Sequence, residues 1–256
     1  MKLRRLAGYG PAFVLAITLL ALWELYVRAT QISSLILPAP TAIIQALVNN
    51  WGVIYDNAVQ TLLETMLGMG AAILLGLLLA ILLDTSSWMR RAIYPWLVVS
   101  QTIPIITLAL LLLLWLGYTI IPKIIVVTLY CFFPIAIACA DGLASAEPDL
   151  LNLLRSMRAS RWQTLWLVRL PGAMPAFFSG LRIAATYSVT GAIFGEYVGG
   201  FKGLGIYMEN ATNSFAIVLV FAAILVTAVL SIMLFGLVSI IERLALPWYH
   251  GAAARK

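Results

Sequence analysis

The chain has 256 residues, of which 63% are apolar and 10% are charged, and its formal net charge is +6. A soluble globular domain has about 45–50% apolar and about 25% charged residues, so this composition excludes a water-soluble fold. Because one spanning helix uses about 20 residues, the length allows about six spans in a single membrane domain and leaves no room for a soluble catalytic domain.

Long stretches without acidic or basic residues predict an all-α, polytopic membrane protein. Six transmembrane helices are predicted near residues 10–28, 58–83, 93–117, 120–140, 174–198 and 215–241, within one domain covering residues 1–256. Pro38 and Pro40 precede an amphipathic segment that predicts a short helix at the outer membrane interface. The first apolar run is long and lacks a clear cleavage site, so we expect an uncleaved first span.

Lysine and arginine near span ends are retained on the cytoplasmic side of a membrane. With the N-terminus inside, thirteen basic residues fall on that side, and three remain outside, namely Arg28, Lys123 and Lys202. Both chain termini are therefore predicted to face the cytoplasm. The basic residues are spread over short loops, which favours topology over nucleic-acid binding as their explanation.

Small residues recur every four positions in the second and fifth predicted spans and favour close helix packing. The second span has Gly68, Ala72, Gly76 and Ala80, and the fifth has Gly180, Ala184, Ser188 and Ala192. Cys131 and Cys139 lie too far apart along one helix to form a disulfide, and we interpret them as packing residues.

Polar groups inside a membrane are costly and indicate function. Gln101 and Thr102 in the third predicted span are followed by Pro104, which removes a helical hydrogen bond and predicts a polar kink. In the fourth span Tyr130 and Phe133, near Pro134, offer flat surfaces to a ring-shaped solute.

Glu196, at the outer end of the fifth span, is interpreted either as an outer-gate residue or as an interfacial carboxylate. With Gln101, Thr102, Pro104, Tyr130 and Phe133 it completes the candidate translocation pathway. Glu64, early in the second span, is a further intramembrane polar candidate. Kinks also serve plain packing, and that alternative stays open.

The charged loop over residues 141–173 differs from all the others. It predicts a helix from Pro148 to about Met157, a turn over residues 158–160, and a second helix from Arg161 that is stopped by Pro171. Its length and charge predict a docking surface, and a solvated connection without a partner is the alternative.

This loop resembles the cytoplasmic motif of the permeases of bacterial ATP-binding cassette importers. The motif reads E-A-A, three residues, G, nine residues, I, one residue, L-P. Without a gap, Asn152, Leu153 and Leu154 align with E-A-A, and Arg158 aligns with the glycine. Val168, Leu170 and Pro171 align with I, L and P. Since glycine tolerates positive φ and arginine does so less readily, Arg158 predicts altered docking.

Further segments extend the resemblance over nearly the whole chain: LPAPTAIIQAL, SQTIPI with LLLLWLG, CFFPIAIACADGL, GEYVGGFKGLG and ERLALPWYH. They are similar to the nitrate, sulfonate and taurine branch of these permeases, and most to permeases for the hydroxymethylpyrimidine precursor of thiamine. Riboflavin, nitrate, sulfonates and taurine remain alternative solutes.

The resemblance implies a homodimeric permease in the bacterial inner membrane. A separate cassette ATPase would bind ATP and Mg, and an extracytoplasmic solute-binding protein would deliver the solute. The coupling residues that it implies are Asn152, Leu153, Leu154, Arg158, Ala159, Val168, Leu170 and Pro171.

The sequence lacks the motifs of catalysis. It has no GxxxxGK[ST] loop for ATP phosphates, no HExxH or GxSxG, and a single histidine, His250. No cofactor, metal site or catalytic residue is therefore predicted in this chain. A proton-coupled secondary carrier that uses Glu64, Glu196 or Asp141 is the alternative from another class, and a membrane enzyme is less favoured.

Overall fold

The computed structural model describes residues 10–249, and within that range the chain is helical and contains no strand. This confirms the all-α prediction. The helices are α1 Gly10–Thr30, α2 Pro40–Asn49, α3 Trp51–Thr85, α4 Ser87–Ser100, α5 Ile105–Leu116, α6 Ile120–Ala144, α7 Pro148–Ser156, α8 Arg161–Thr164, α9 Leu170–Gly199, α10 Leu204–Asn213 and α11 Ile217–Ala245, with a π-helical turn at Leu165–Arg169 between α8 and α9.

Four of the described helices are long and apolar enough to span a membrane, namely α1, α3, α6 and α11. The bent pair α4 and α5 makes a fifth candidate if it is counted as one broken span. α9 has 30 residues and covers the predicted fifth span, but it falls outside this set. α9 contains the charged residue Arg182, and many of its buried residues are small. Length and hydropathy therefore do not establish the predicted count of six.

The core of the molecule is formed by α3, α6 and α9, and both rows of small residues lie inside it. A β-carbon added to Gly76 would lie 2.9 Å from the Ile135 side chain of α6. One added to Gly180 would lie 2.5 Å from the Pro134 carbonyl oxygen. Larger residues would push these helices apart, so the small rows permit the close packing that the sequence predicted.

The two cysteines of α6 are packing residues, as predicted. Both are buried free thiols, and the Cys131 Sγ lies 3.4 Å from the Ala184 carbonyl oxygen of α9. α6 continues through Pro134 without a break, which is tolerated because α3 and α9 pack against it.

Helices at the rim are held by polar contacts near their ends. The Thr41 N–H of α2 donates to Glu24 of α1 at 3.1 Å, and the Arg182 guanidinium of α9 pairs with Glu242 of α11 at 2.6 Å. Apart from Val27, the described side chains of α1 are not buried, so this helix presents most of its surface outward. The bundle is thus organised around α6, with α1 at its periphery.

Candidate functional site

The bend between α4 and α5 lies at the residues that the sequence predicted as a polar kink. α4 ends at Ser100, α5 begins at Ile105, and the two helices meet at 93°. Pro104 has no N–H and disfavours helical backbone at the preceding residue, so α4 cannot continue through this point. The break is sharper than the predicted kink, so the span predicted near 93–117 consists of two helices.

A cavity of about 710 Å³ lies between this bend, α6 and α9. Five of the six predicted pathway residues line it: Gln101, Thr102, Pro104, Tyr130 and Phe133. The Gln101 side chain is exposed, and its amide makes no hydrogen bond to another described residue. The sequence treated the polar bend and the aromatic group of α6 as separate features, and the fold brings them together.

Aromatic rings form one wall of the cavity. The Tyr130 and Tyr187 rings lie 5.5 Å apart, and the Phe194 ring meets Tyr130 edge-on at 6.3 Å. Tyr187 and Ile183 of α9 line the cavity, and sequence reasoning missed both. The available signal was a large ring at Tyr187 within a run of small residues. None of the described lining residues is charged, so the lining suits a flat, neutral solute.

Glu196 lies apart from this cavity. Its side chain is fully buried and accepts hydrogen bonds from the Thr61 hydroxyl at 2.6 Å and from the Gly205 N–H at 2.5 Å. Asn57 of α3 accepts the Gly203 N–H at 2.8 Å beside it. The carboxylate therefore fixes the turn between α9 and α10 against α3. The full burial of this side chain does not fit an interfacial carboxylate, and the interpretation as an outer-gate residue stays a prediction.

Gly203→Ala is expected to destabilise the protein by about 3 kcal/mol, because φ is +136° at this residue and a β-carbon would collide with the Glu196 carboxylate. Gly117→Ala is the matched control. Gly117 also has positive φ, +72°, with ψ −175°, but a β-carbon there meets nothing within 4 Å, so the substitution is expected to cost only the backbone strain, about 1–2 kcal/mol. Unfolding midpoints of the purified variants measure both effects, and equal losses would contradict the role assigned to Glu196.

A buried ion pair joins α3 to α6 close to Glu196. The Lys123 Nζ lies 3.2 Å from Glu64 Oε1, and the Gln60 amide donates to the same oxygen at 2.8 Å. Glu64 is fully buried and Lys123 is 7% exposed. The sequence analysis assigned Lys123 to the outer side of the membrane but did not pair it with Glu64, because the two residues are 59 positions apart in the chain.

The predicted coupling loop is a hairpin of α7 and α8 that leads through the π-helical turn into α9. α7 ends at Ser156, Arg158 two residues further has a φ of +56°, and the Ala159 N–H donates to the Leu154 carbonyl at 2.9 Å. These features are typical of a Schellman helix end, which favours glycine. The residue aligned with the family glycine therefore occupies a glycine-type conformation. α8 then begins with a capping box between Ser160 and Gln163.

The sequence predicted that Pro171 stops the second helix of the hairpin, and this prediction is wrong. α8 ends at Thr164, and the chain continues through the π-helical turn into α9, where Pro171 lies in the first turn. A proline is tolerated there because its missing N–H is not needed. The Arg169 guanidinium in the same region donates to both Asp84 oxygens at 2.6 Å and ties the turn to α3.

One face of α7 is apolar and exposed. Leu150, Leu153 and Met157 follow helical spacing along it, and Met157 is 69% exposed. Of the predicted coupling residues, Asn152, Leu153, Arg158 and Pro171 are exposed, and Leu154, Ala159, Val168 and Leu170 are half-buried. Leu150 and Met157 were missed, although their spacing from Leu153 was a usable signal.

Arg158→Gly is expected to stabilise the hairpin by about 1 kcal/mol, because the glycine has no β-carbon to oppose positive φ. Arg158→Ala keeps the β-carbon and should change little. Amide hydrogen exchange over residues 153–160 measures the local stability. Equal protection in both variants would contradict the strain assigned to Arg158.

The broken helix beside a cavity and the hairpin with an exposed apolar face define a membrane transport subunit. The chain belongs to the family described as "Binding-protein-dependent transport system inner membrane component", whose model matches residues 72–246. This confirms the resemblance predicted from the sequence. The chain is a permease subunit of an ATP-binding cassette importer and not an enzyme.

Two curated relatives match almost the whole chain. A "Probable ABC transporter permease protein" of Haemophilus influenzae is 37% identical over 92% of this chain and 94% of its own. The "Formylaminopyrimidine transport permease protein ThiX" of Halalkalibacterium halodurans is 35% identical over 90% of this chain and 92% of its own. The predicted likeness to the nitrate, sulfonate and taurine branch is also confirmed.

The fold is similar to that of a solved transporter. An inward-facing MetNI methionine ABC transporter matches with a TM-score of 0.66 at 20% identity, over 76% of this chain and 97% of that one.

Proposed function

We propose that this permease carries a thiamine-precursor pyrimidine through the cavity at the α4–α5 bend. The observation that carries the proposal is the lining of this cavity, which combines Tyr130, Phe133 and Tyr187 with Gln101 and Thr102. Aromatic rings stack on a flat heterocycle, and an amide and a hydroxyl match its ring nitrogens and amino groups. The ThiX relative, named for formylaminopyrimidine, supports the same solute class.

Anionic solutes are less well supported by this lining. Nitrate, sulfonates and taurine carry a negatively charged group, and none of the described residues around the cavity is basic. Desolvating an anion without a cationic partner is costly. Riboflavin shares the flat aromatic character of a pyrimidine and is distinguished from it by the experiment below.

The importer needs partners that lie outside this chain. We infer that the α7–α8 hairpin docks through Leu150, Leu153 and Met157 on a cassette ATPase, that two copies of the chain enclose the cavity, and that a solute-binding protein delivers the solute. The cavity is open in the single chain, which supports closure by a second copy. ATP-driven closure of the ATPases would pull the hairpins together and expose the cavity alternately to the two sides.

The secondary-carrier alternative has weaker support. Its three candidate proton carriers are each engaged in the structure: Glu64 with Lys123, Glu196 with Thr61 and Gly205, and Asp141 with Arg90 at 2.8 Å. A carboxylate that loads and releases a proton would have to break these contacts in each cycle.

The direct test is a mild-detergent pull-down of the tagged chain from its native membrane, with mass spectrometry of proteins and small molecules. Recovery of a cassette ATPase and a binding protein that retains a pyrimidine would support the proposal. Transport in liposomes by the chain alone, without ATP, would overturn it.

Gln101→Ala is expected to reduce uptake about tenfold or more, because the amide is the unpaired polar group at the bend. Complex assembly should be unchanged. The matched control is Asn213→Ala, which removes an exposed amide outside the cavity. Uptake of labelled solute into cells, normalised to the assembled complex, gives the ratio. Normal uptake by Gln101→Ala would remove this residue from the pathway.

A further inference from the structure

A second cavity, of about 570 Å³, lies at the loop end of the molecule between the end of α3 and the α7–α8 hairpin. Three arginines line it, Arg155 on α7, Arg161 on α8 and Arg169 on the π-helical turn. Asp84 is the one acidic residue in its described lining and is already bound by Arg169. The lining thus carries two positive charges in excess.

The arginines of this cavity retain unused hydrogen-bond donors. The Arg169 Nε is buried and has no acceptor, although the same guanidinium holds Asp84 through Nη1. Arg155 and Arg161 are exposed, and their guanidinium groups make no hydrogen bond or ion pair to another described residue. Three arginines that line one cavity and have spare N–H donors match the oxygens of a phosphate group.

The cavity opens on a different face of α7 from the one proposed to dock the ATPase. Leu151, Arg155 and Ala159 line the cavity at four-residue spacing, whereas Leu150, Leu153 and Met157 are exposed on the other side. At about 100° per residue, Leu151 and Arg155 are separated by about 150° around the helix from the exposed apolar set. A ligand in the cavity therefore leaves the docking face free.

The surroundings of the cavity are those of a membrane interface. Asp84 is next to the last residue of the spanning helix α3, and Trp162 in the cavity lining and Trp166 nearby are both exposed. Tryptophan favours the headgroup level of a bilayer. The apolar residues Ile81, Leu151 and Leu165 complete the lining, so the site is amphipathic.

From this geometry we propose that the cavity binds a phosphate-bearing anion, which braces the α7–α8 hairpin against α3. Bound phosphate oxygens bridge Arg155 and Arg161 to the Arg169–Asp84 pair. Two sources share this chemistry, the headgroup of an anionic phospholipid in the predicted cytoplasmic leaflet and free phosphate in the cytoplasm. The site does not depend on the transported solute or on ATPase docking.

The test measures binding to the full-length chain purified in mild detergent. One arm adds phosphatidylglycerol or phosphatidylcholine and counts bound lipids by native mass spectrometry. The other arm measures binding of radiolabelled inorganic phosphate by equilibrium dialysis. Selective retention of phosphatidylglycerol assigns the site to a lipid headgroup, and binding of phosphate alone assigns it to the free anion.

The variant for this test is the double substitution Arg155→Gln and Arg161→Gln, which leaves the Arg169–Asp84 pair intact. Its affinity is expected to fall about 30-fold, since each cation near an anionic surface contributes about fivefold. Arg91→Gln removes an exposed arginine of α4 outside the cavity and should retain wild-type binding.

An unchanged unfolding midpoint shows that the double variant is folded. Binding of neither ligand to the wild-type chain, or equal binding by all three proteins, would overturn the proposal. Binding of the anion by a chain that recovers no ATPase would support this site while counting against the proposed docking.

Discussion

Lys123→Met is expected to lower the free energy of unfolding by about 3–5 kcal/mol, because it leaves the Glu64 carboxylate buried between α3 and α6 without its cation. Gln60 still donates one hydrogen bond to Glu64 Oε1, but Oε2 already lacks a partner. Reversible unfolding in mixed detergent, followed by circular dichroism, measures the loss.

Two further variants distinguish the effect of leaving Glu64 unpaired from the effect of removing a lysine as such. The double variant Glu64→Gln and Lys123→Met removes both charges and should recover most of the stability, since the cost lies in the unpaired charge. Lys202→Met removes an exposed lysine near the same end and should stay within about 0.5 kcal/mol of the original chain. A loss at Lys202 as large as that at Lys123 would contradict the importance of the buried pair.

Leu153→Asp is expected to lower recovery of the cassette ATPase about 30-fold, with a matching loss of uptake. Leu153 is central on the apolar face of α7, and a carboxylate buried in a docked interface costs at least about 2 kcal/mol. Pull-down of the tagged chain with quantitative mass spectrometry measures the recovery, and uptake is assayed in parallel.

Leu35→Asp is the control for this variant. Leu35 and Leu153 are both 55% exposed, but Leu35 lies between α1 and α2, at the other end of the molecule. It should leave ATPase recovery unchanged. Normal recovery with Leu153→Asp would show that the hairpin docks through another face, or that the chain works without an ATPase.

The two variants test different consequences of the fold. The Glu64–Lys123 pair and the Glu196 hydrogen bonds hold α3, α6 and α9 at the end opposite the hairpin. The π-helical turn that follows the hairpin is tied to α3 by the Arg169–Asp84 pair. A force applied to the hairpin is thus transmitted to a bundle that is fixed at both ends of α3, which suits a rocking movement of packed helices.

The apolar runs and breaker residues determined where most of the described helices lie. Hydrophobic runs longer than about 20 residues leave few alternatives to a spanning helix, since all backbone groups must be bonded internally. Pro104 likewise marked the break before α5, because a proline acts on the backbone next to it. The sharpness of the break was not predicted, since the cavity beside it is formed by α6 and α9.

Contacts between distant positions were decided by the tertiary structure alone. The sequence does not show that Lys123 is paired with Glu64, and Glu196 is a plausible interfacial carboxylate until the Gly203–Gly205 turn folds over it. Pro171 predicts a helix end if the turn before it is α-helical. That turn is π-helical here, and the chain continues into α9.

By itself, therefore, the sequence determined the fold class, the transport family and the residues around the bend, since these depend on hydropathy, on breaker residues and on local motifs. The tertiary structure decided which polar groups are paired, where Glu196 lies and which faces of α7 are exposed. Those outcomes depend on residues far apart in the chain, and a buried charge or a close backbone approach is stable only when its partner is in place.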